Sequence, residues 1–210
     1  VTSDAAGTAL TTHRCENGTV KAVRRVVLVV ALLNLAFFLV EFTVALAIGS
    51  VSLFADSVDF LEDALINLLI FAALRWSAAR RRTVGSALAF VILIPAIATI
   101  WMAVAKAFDP VPPAPGALTI TAIGALLVNL TAASLLVRHR NHRGSLTKAA
   151  WLSARNDALA NLAIIAVGIL TFWFATGWLD IMVGAGIGLL NADAARAVWI
   201  TARTEADPTP

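Results

Sequence analysis

The chain has 210 residues, of which 60% are hydrophobic and 14% charged, and its mean hydropathy is +0.85. Soluble domains are about half apolar and about a quarter charged, so this composition excludes an ordinary soluble enzyme or binding module and points to a membrane protein. The formal net charge of +3 does not indicate a nucleic-acid partner, because the basic residues fall in the gaps between apolar runs and not along one soluble face.

Residues 1–22 are polar, lack the basic-then-apolar order of a cleavable signal, and are expected to form a disordered tail. Six apolar segments follow, near 23–48, 51–75, 84–107, 117–138, 149–174 and 177–200. Each reaches the roughly 20 residues that a bilayer crossing requires, and a helix satisfies its own backbone in lipid whereas an open sheet edge does not. The expectation is an all-α, polytopic membrane protein: one domain of six transmembrane helices over 23–200 and a short polar tail over 201–210.

Orientation follows from the positive residues. Arg14, Lys21, Arg24 and Arg25 precede the first segment, and Arg75, Arg80, Arg81 and Arg82 follow the second. Arg138, Arg140, Arg143 and Lys148 separate the fourth from the fifth, and Arg196 and Arg203 lie near the C-terminal end, whereas the alternate loops contain Lys106 alone. The positive-inside rule therefore places both termini in the cytoplasm, with the domain in the inner or plasma membrane. Trp76, Trp151 and Trp199 fall at the inner boundary, and Trp101, Trp173 and Trp178 toward the outer one. Pro95 is expected to kink the third helix. Cys15 is the sole cysteine, so no intramolecular disulfide forms.

The second and fifth segments are the least hydrophobic and hold the candidate chemistry. A single Asp at the centre of a membrane helix costs about 2.5–3.5 kcal/mol on insertion scales. The second segment nevertheless contains Asp56, Asp59, Glu62 and Asp63, and the fifth contains Asp157. Asp59 and Asp63 are four apart and share a helix face; Asp56 lies on the same side, and Glu62 is rotated about 60° away. Ser153, Asp157 and Asn161 form a matching stripe on the fifth helix. Two opposed stripes of oxygen ligands suit one divalent cation. Repelling carboxylates out of water need a cation or protons to neutralise them, and this competition permits exchange. The segments 62–68 and 156–162 also resemble one another around a common Asp-Ala-Leu-x-Asn-Leu. Their predicted opposite directions suit an inverted repeat with a site between its halves.

Asn34 and Glu41 in the first helix, the run from Ser50 to Asp56, Asp59-Phe60-Leu61-Glu62-Asp63, and Asn156-Asp157-Ala158-Leu159 together resemble the cation diffusion facilitator family. The resemblance covers about Asn34 to Ala195, including Asp180, and is similar to a short bacterial branch through Trp151-Leu152-Ser153-Ala154-Arg155-Asn156-Asp157. It implies export of zinc, cadmium, cobalt or a related divalent ion in exchange for protons, by a homodimer in the lipid bilayer. Neither a resident cofactor nor enzymatic catalysis is implied. Its metal ligands carry over as Asp59 and Asp63 with Ser153 and Asp157. Ser153 departs from the His or Asp usual at its position, so Asn161 or Glu62 is an alternative completion of the shell. An all-oxygen shell suits harder ions such as manganese. The polar residues after the sixth segment are too few for the family's cytoplasmic metal-binding domain, so a dimer is expected to rest on membrane contacts.

Two other classes compete with this reading. An intramembrane aspartyl protease also uses paired aspartates, but its Tyr-Asp and Gly-x-Gly-Asp signatures are missing from a chain that has no tyrosine. A non-transporting scaffold or sensor of the same fold is the remaining alternative, and Ser153 is the residue that favours it. His139 and His142 lie among arginines that repel cations, and His13 and Cys15 lie in the polar N-terminal stretch. All four are expected to be solvated.

Overall fold

A computed structural model describes the backbone of residues 4–73, 78–138 and 145–204, with side chains chiefly over 24–72, 91–137 and 156–193. The described residues are helical without strands: α1 (Asp4–Ile48), α2 (Val51–Ala73), α3 (Ala78–Ala107), α4 (Pro115–Arg138), α5 (Ser145–Thr171) and α6 (Trp178–Thr204). The polar stretch expected as a tail is helical from Asp4 onward and continuous with α1. It contains several alanines and no proline, and its two glycines, Gly7 and Gly18, weaken the helix without interrupting it. Helix α3 is also continuous through Pro95, where the Thr99 hydroxyl donates to the Pro95 carbonyl at 3.0 Å.

Arg24–Ile48 and Pro115–Val137 are by themselves long and apolar enough to cross a bilayer, and Leu93–Ala107 and Asn156–Thr171 are shorter apolar stretches. Helix α2 falls outside this group because Asp56, Asp59, Glu62 and Asp63 interrupt its apolar surface. It is instead the buried centre of the bundle. It packs most heavily on α1, then on α6 and α3, and touches α5; α3 also packs on α6, and α4 on α5 and α1. The core joins Ala45, Leu53, Phe54, Val58, Leu118, Ile164, Val167 and Ile187 from five helices. Large apolar side chains such as Leu39, Ile94, Ile120, Leu127 and Leu162 point outward, as lipid-facing residues do. Trp101, Trp173 and Trp178 are exposed near the helix ends assigned to the outer boundary. The side chains of Trp76, Trp151 and Trp199 lie outside the described residues.

The junction between α1 and α2 takes only two residues. Gly49 adopts φ +64°, a conformation that costs glycine little, and the Ser50 amide bonds back to the Ala45 carbonyl at 3.0 Å to close the helix end. Ser50 then caps α2 by accepting from the Leu53 amide at 3.2 Å. Across this turn α1 and α2 run antiparallel, and their facing residues form successive layers: Asn34 against Asp63, then Phe37 against Phe60 with ring centroids 4.9 Å apart.

Asp180, near the start of α6, ties this turn to the rest of the bundle. One carboxylate oxygen accepts from the Ser50 hydroxyl at 2.7 Å, the Ser52 hydroxyl at 2.6 Å and the Ser52 amide at 3.1 Å. The other accepts from the Val51 amide at 2.8 Å and from Lys106 Nζ of α3 at 2.9 Å. Lys106 also donates to the Gly49 carbonyl. The first amides of α2, which have no partner within their own helix, thus receive a negative charge, where the helix dipole favours one. Gly184 permits the approach: a Cβ there would lie 2.6 Å from the Val51 carbonyl carbon and 2.7 Å from the Ser52 nitrogen.

Asp180→Ala leaves the largely buried Lys106 with the Gly49 carbonyl but without its counter-charge, and breaking a buried pair in this way costs up to about 3–5 kcal/mol. The variant is expected to melt well below wild type in detergent, with Asp180→Asn in between, as read by thermal unfolding monitored by circular dichroism. Gly184→Ala forces α6 away from α2 and is expected to cost about 1–3 kcal/mol in the same measurement.

Candidate functional site

Helix α2 begins at the Asp180 junction, so its later residues take a fixed register against α5 and α6. Asp59, Glu62 and Asp63 of α2, Asn129 of α4, Asn156 and Asp157 of α5, and Asn191 and Asp193 of α6 line one cleft of about 370 Å³. Its apolar walls are Ile66, Ala160, Ile187 and Leu190. The exposed lining residues Asn156, Leu190 and Asp193 lie near the beginning of α5 and toward the end of α6. The cleft therefore opens at the end of the bundle opposite the Asp180 junction.

Asp59, Asp63, Asp157 and Glu62, four residues singled out in the sequence, are thus brought to one cavity. Asp59 lies within electrostatic reach of Asp63, Glu62 and Asp157, and Asp157 within reach of Asp63 and Glu62. These carboxylates line the cleft without closing on one point: among the described residues no three acidic, His or Cys side chains converge tightly enough to hold an ion. Asp63 is positioned by Asn34 of α1, whose Nδ2 faces its Oδ2 at 3.4 Å, near the outer limit of hydrogen bonding.

Asn161 does not line the cleft. It is fully buried, and its Nδ2 donates to the Asp157 backbone carbonyl at 2.8 Å. Asn67 makes the same bond to the Asp63 carbonyl, also at 2.8 Å. The two copies of Asp-Ala-Leu-x-Asn-Leu therefore share a local geometry as well as a sequence. In each, an Asn bonds back one turn onto the backbone of the Asp that faces the cleft. Ser153 is within α5, but its side chain lies outside the described residues, as do those of Arg155, His13 and Cys15; His139 and His142 lie outside them entirely.

Asn129, Asn191 and Asp193 were not anticipated. Each is a polar residue in a largely apolar helix; for the buried Asn129 and Asn191 the expense of burial in lipid is the signal the sequence offers, whereas Asp193 is exposed. Asn191 is 3% exposed, and its Nδ2 donates to the Ala55 carbonyl of α2 at 3.0 Å, leaving the amide oxygen as the acceptor it can offer elsewhere. Among the described residues, the polar lining of the cleft consists of oxygen-bearing carboxylates and amides, with no thiol or imidazole. Carboxylate and amide oxygens are the ligand types that hard and borderline divalent cations prefer.

The family model for the cation efflux transmembrane domain matches residues 27–203. The zinc transporter ZitB of Pectobacterium atrosepticum is 29% identical in an alignment 163 residues long that covers 71% of this chain and 50% of that protein. The chain therefore spans about half the length of that relative. The match takes in the apolar part of α1, all of α2 through α5 and nearly all of α6, and the chain belongs to the cation diffusion facilitator family of membrane proteins.

Proposed function

We propose that this protein exports a divalent metal cation across the cell membrane in exchange for protons. In this reading all six helices cross the bilayer over 23–200, both termini are cytoplasmic, and the protein works as a homodimer. The carrying observation is the single cleft shared by Asp59, Asp63 and Asp157 on two different helices. Three carboxylates within one low-dielectric cavity repel one another, and a divalent cation or protons relieve that repulsion. Since the acids line the cleft without converging, the cation draws them together when it binds. Glu62 and Asp193 lie in the same cleft and supply further negative charge to attract it. Under the proposed topology the cleft faces the cytoplasm, the side from which an exporter loads.

The relative's name favours zinc as cargo. The all-oxygen lining favours a harder ion, and manganese or iron is the second reading. A soft ion such as cadmium gains least from this donor set unless Ser153, His139 or another residue outside the described set contributes.

Uptake into proteoliposomes from a panel of zinc, cadmium, cobalt, manganese and iron tests both readings. Wild type is expected to carry at least one of these ions faster when a pH gradient opposes it. Asp63→Ala and Asp157→Ala are each expected to lower that flux by at least about tenfold, since even residues that only support metal ligands commonly cost about 10–100-fold in affinity. Absence of metal flux for every ion, or flux indifferent to both substitutions, would sink the transporter reading. Direct binding by calorimetry separates the roles within the cleft: Asp59→Asn is expected to weaken metal binding more than Asp193→Asn, because Asp193 is exposed at the mouth.

A further inference from the structure

Beyond the cleft, the α1–α2 interface contains a second pair of acids that the metal site does not use. Glu41 of α1 and Asp56 of α2 are both fully buried, and neither lines the cleft. They occupy the next layer of the antiparallel pairing, after Asn34 with Asp63 and Phe37 with Phe60, on the side nearer the α1–α2 turn. The same register that pairs Asn34 with Asp63 and Phe37 with Phe60 sets the two side chains opposite one another across the interface. Yet among the described residues no amide, hydroxyl or cationic side chain donates to any of their four oxygens. Ionised carboxylates only accept, so two of them opposed without a donor are incompatible with burial. One proton resolves this, because it makes one group a donor and the other its acceptor.

We infer that Glu41 and Asp56 share a single proton, forming an enclosed acid–carboxylate site between α1 and α2 that is separate from the metal cleft. The contrast with Asp180 in the same bundle supports it: that acid is equally buried, and five donors surround it. The ionisable groups within electrostatic reach of the pair are Asp59 on α2 and Asp157 on α5, both lining the cleft. Cation binding there removes negative charge near the pair, which weakens the pair's hold on its proton. The reverse holds by linkage: a proton on the pair favours release of the cation. The site thereby provides a physical route for proton exchange, and this role rests on the transporter reading above.

Two measurements on the full chain in lipid test it. Infrared spectroscopy is expected to show a protonated-carboxyl C=O stretching component that shifts in deuterium oxide, with the same component lost or displaced in both Glu41→Gln and Asp56→Asn. In proteoliposomes both variants are expected to lose metal accumulation driven by a pH gradient while retaining metal binding by calorimetry. An infrared component unchanged in both variants overturns the shared proton. Variants that accumulate metal under a pH gradient as wild type does overturn its role in exchange. If wild type itself moves no metal, the transporter reading fails, and the infrared comparison still decides whether the pair holds a proton. Should one variant not insert, the other carries the same comparison.

Discussion

The Asp180 carboxylate accepts hydrogen bonds from both serines at the α1–α2 turn, from two backbone amides that open α2, and from Lys106 on α3. Hydrogen bonds to a charged group contribute about 1.5–3 kcal/mol each, although shared ones do not simply add. Their structural effect is to fix where α2 starts and how it is rotated. Every polar residue further along that helix inherits its position from this junction. If α2 were rotated by one residue, about 100°, Asp59 and Asp63 would leave the cleft and face a packed neighbour.

The bundle treats its buried acids in two ways. Asp180 is fully satisfied and acts as a fastener, together with the Gly184 contact that lets α6 lie against α2. Glu41 and Asp56 have no donors, and Asp59, Asp63 and Asp157 sit in a cavity whose polar partners are mainly amides. Acids left in this condition are expensive to insert into a membrane, and packing alone gives no reason to keep them. Under the proposed function the expense is offset by ligands the protein does not hold permanently, a cation in the cleft and a proton between α1 and α2.

The paired Asn67 and Asn161 bonds bear on how the two stripes are presented. Each Asn consumes its own donor on the backbone beneath a cleft Asp, and at Asn161 the amide oxygen is left buried and unpartnered. Neither amide then competes for the Asp carboxylate, which stays free to face the cavity. The repeated motif thus reads as a device for holding an acid in place within a helix. That explains why Asn161, four residues from Asp157 and on the same helix face, is a support and not part of the cleft wall.

Much of this architecture is legible in the residues. The apolar runs place the six helices, although α1 reaches back to Asp4 and α3 to Ala78, and the expense of charge in lipid singles out Asp59, Asp63 and Asp157 without any structure. Periodicity also assigns Asp59 and Asp63 to one face, because that depends only on the local geometry of a single helix. Tertiary structure alone decides which faces meet. It brings Asn191 and Asp193 of α6 and Asn129 of α4 to the α2–α5 cleft, and sets Glu41 against Asp56 across the α1–α2 interface. Polar residues one turn apart announce themselves in sequence, whereas those contributed by separate helices meet only through packing angles that no local pattern encodes.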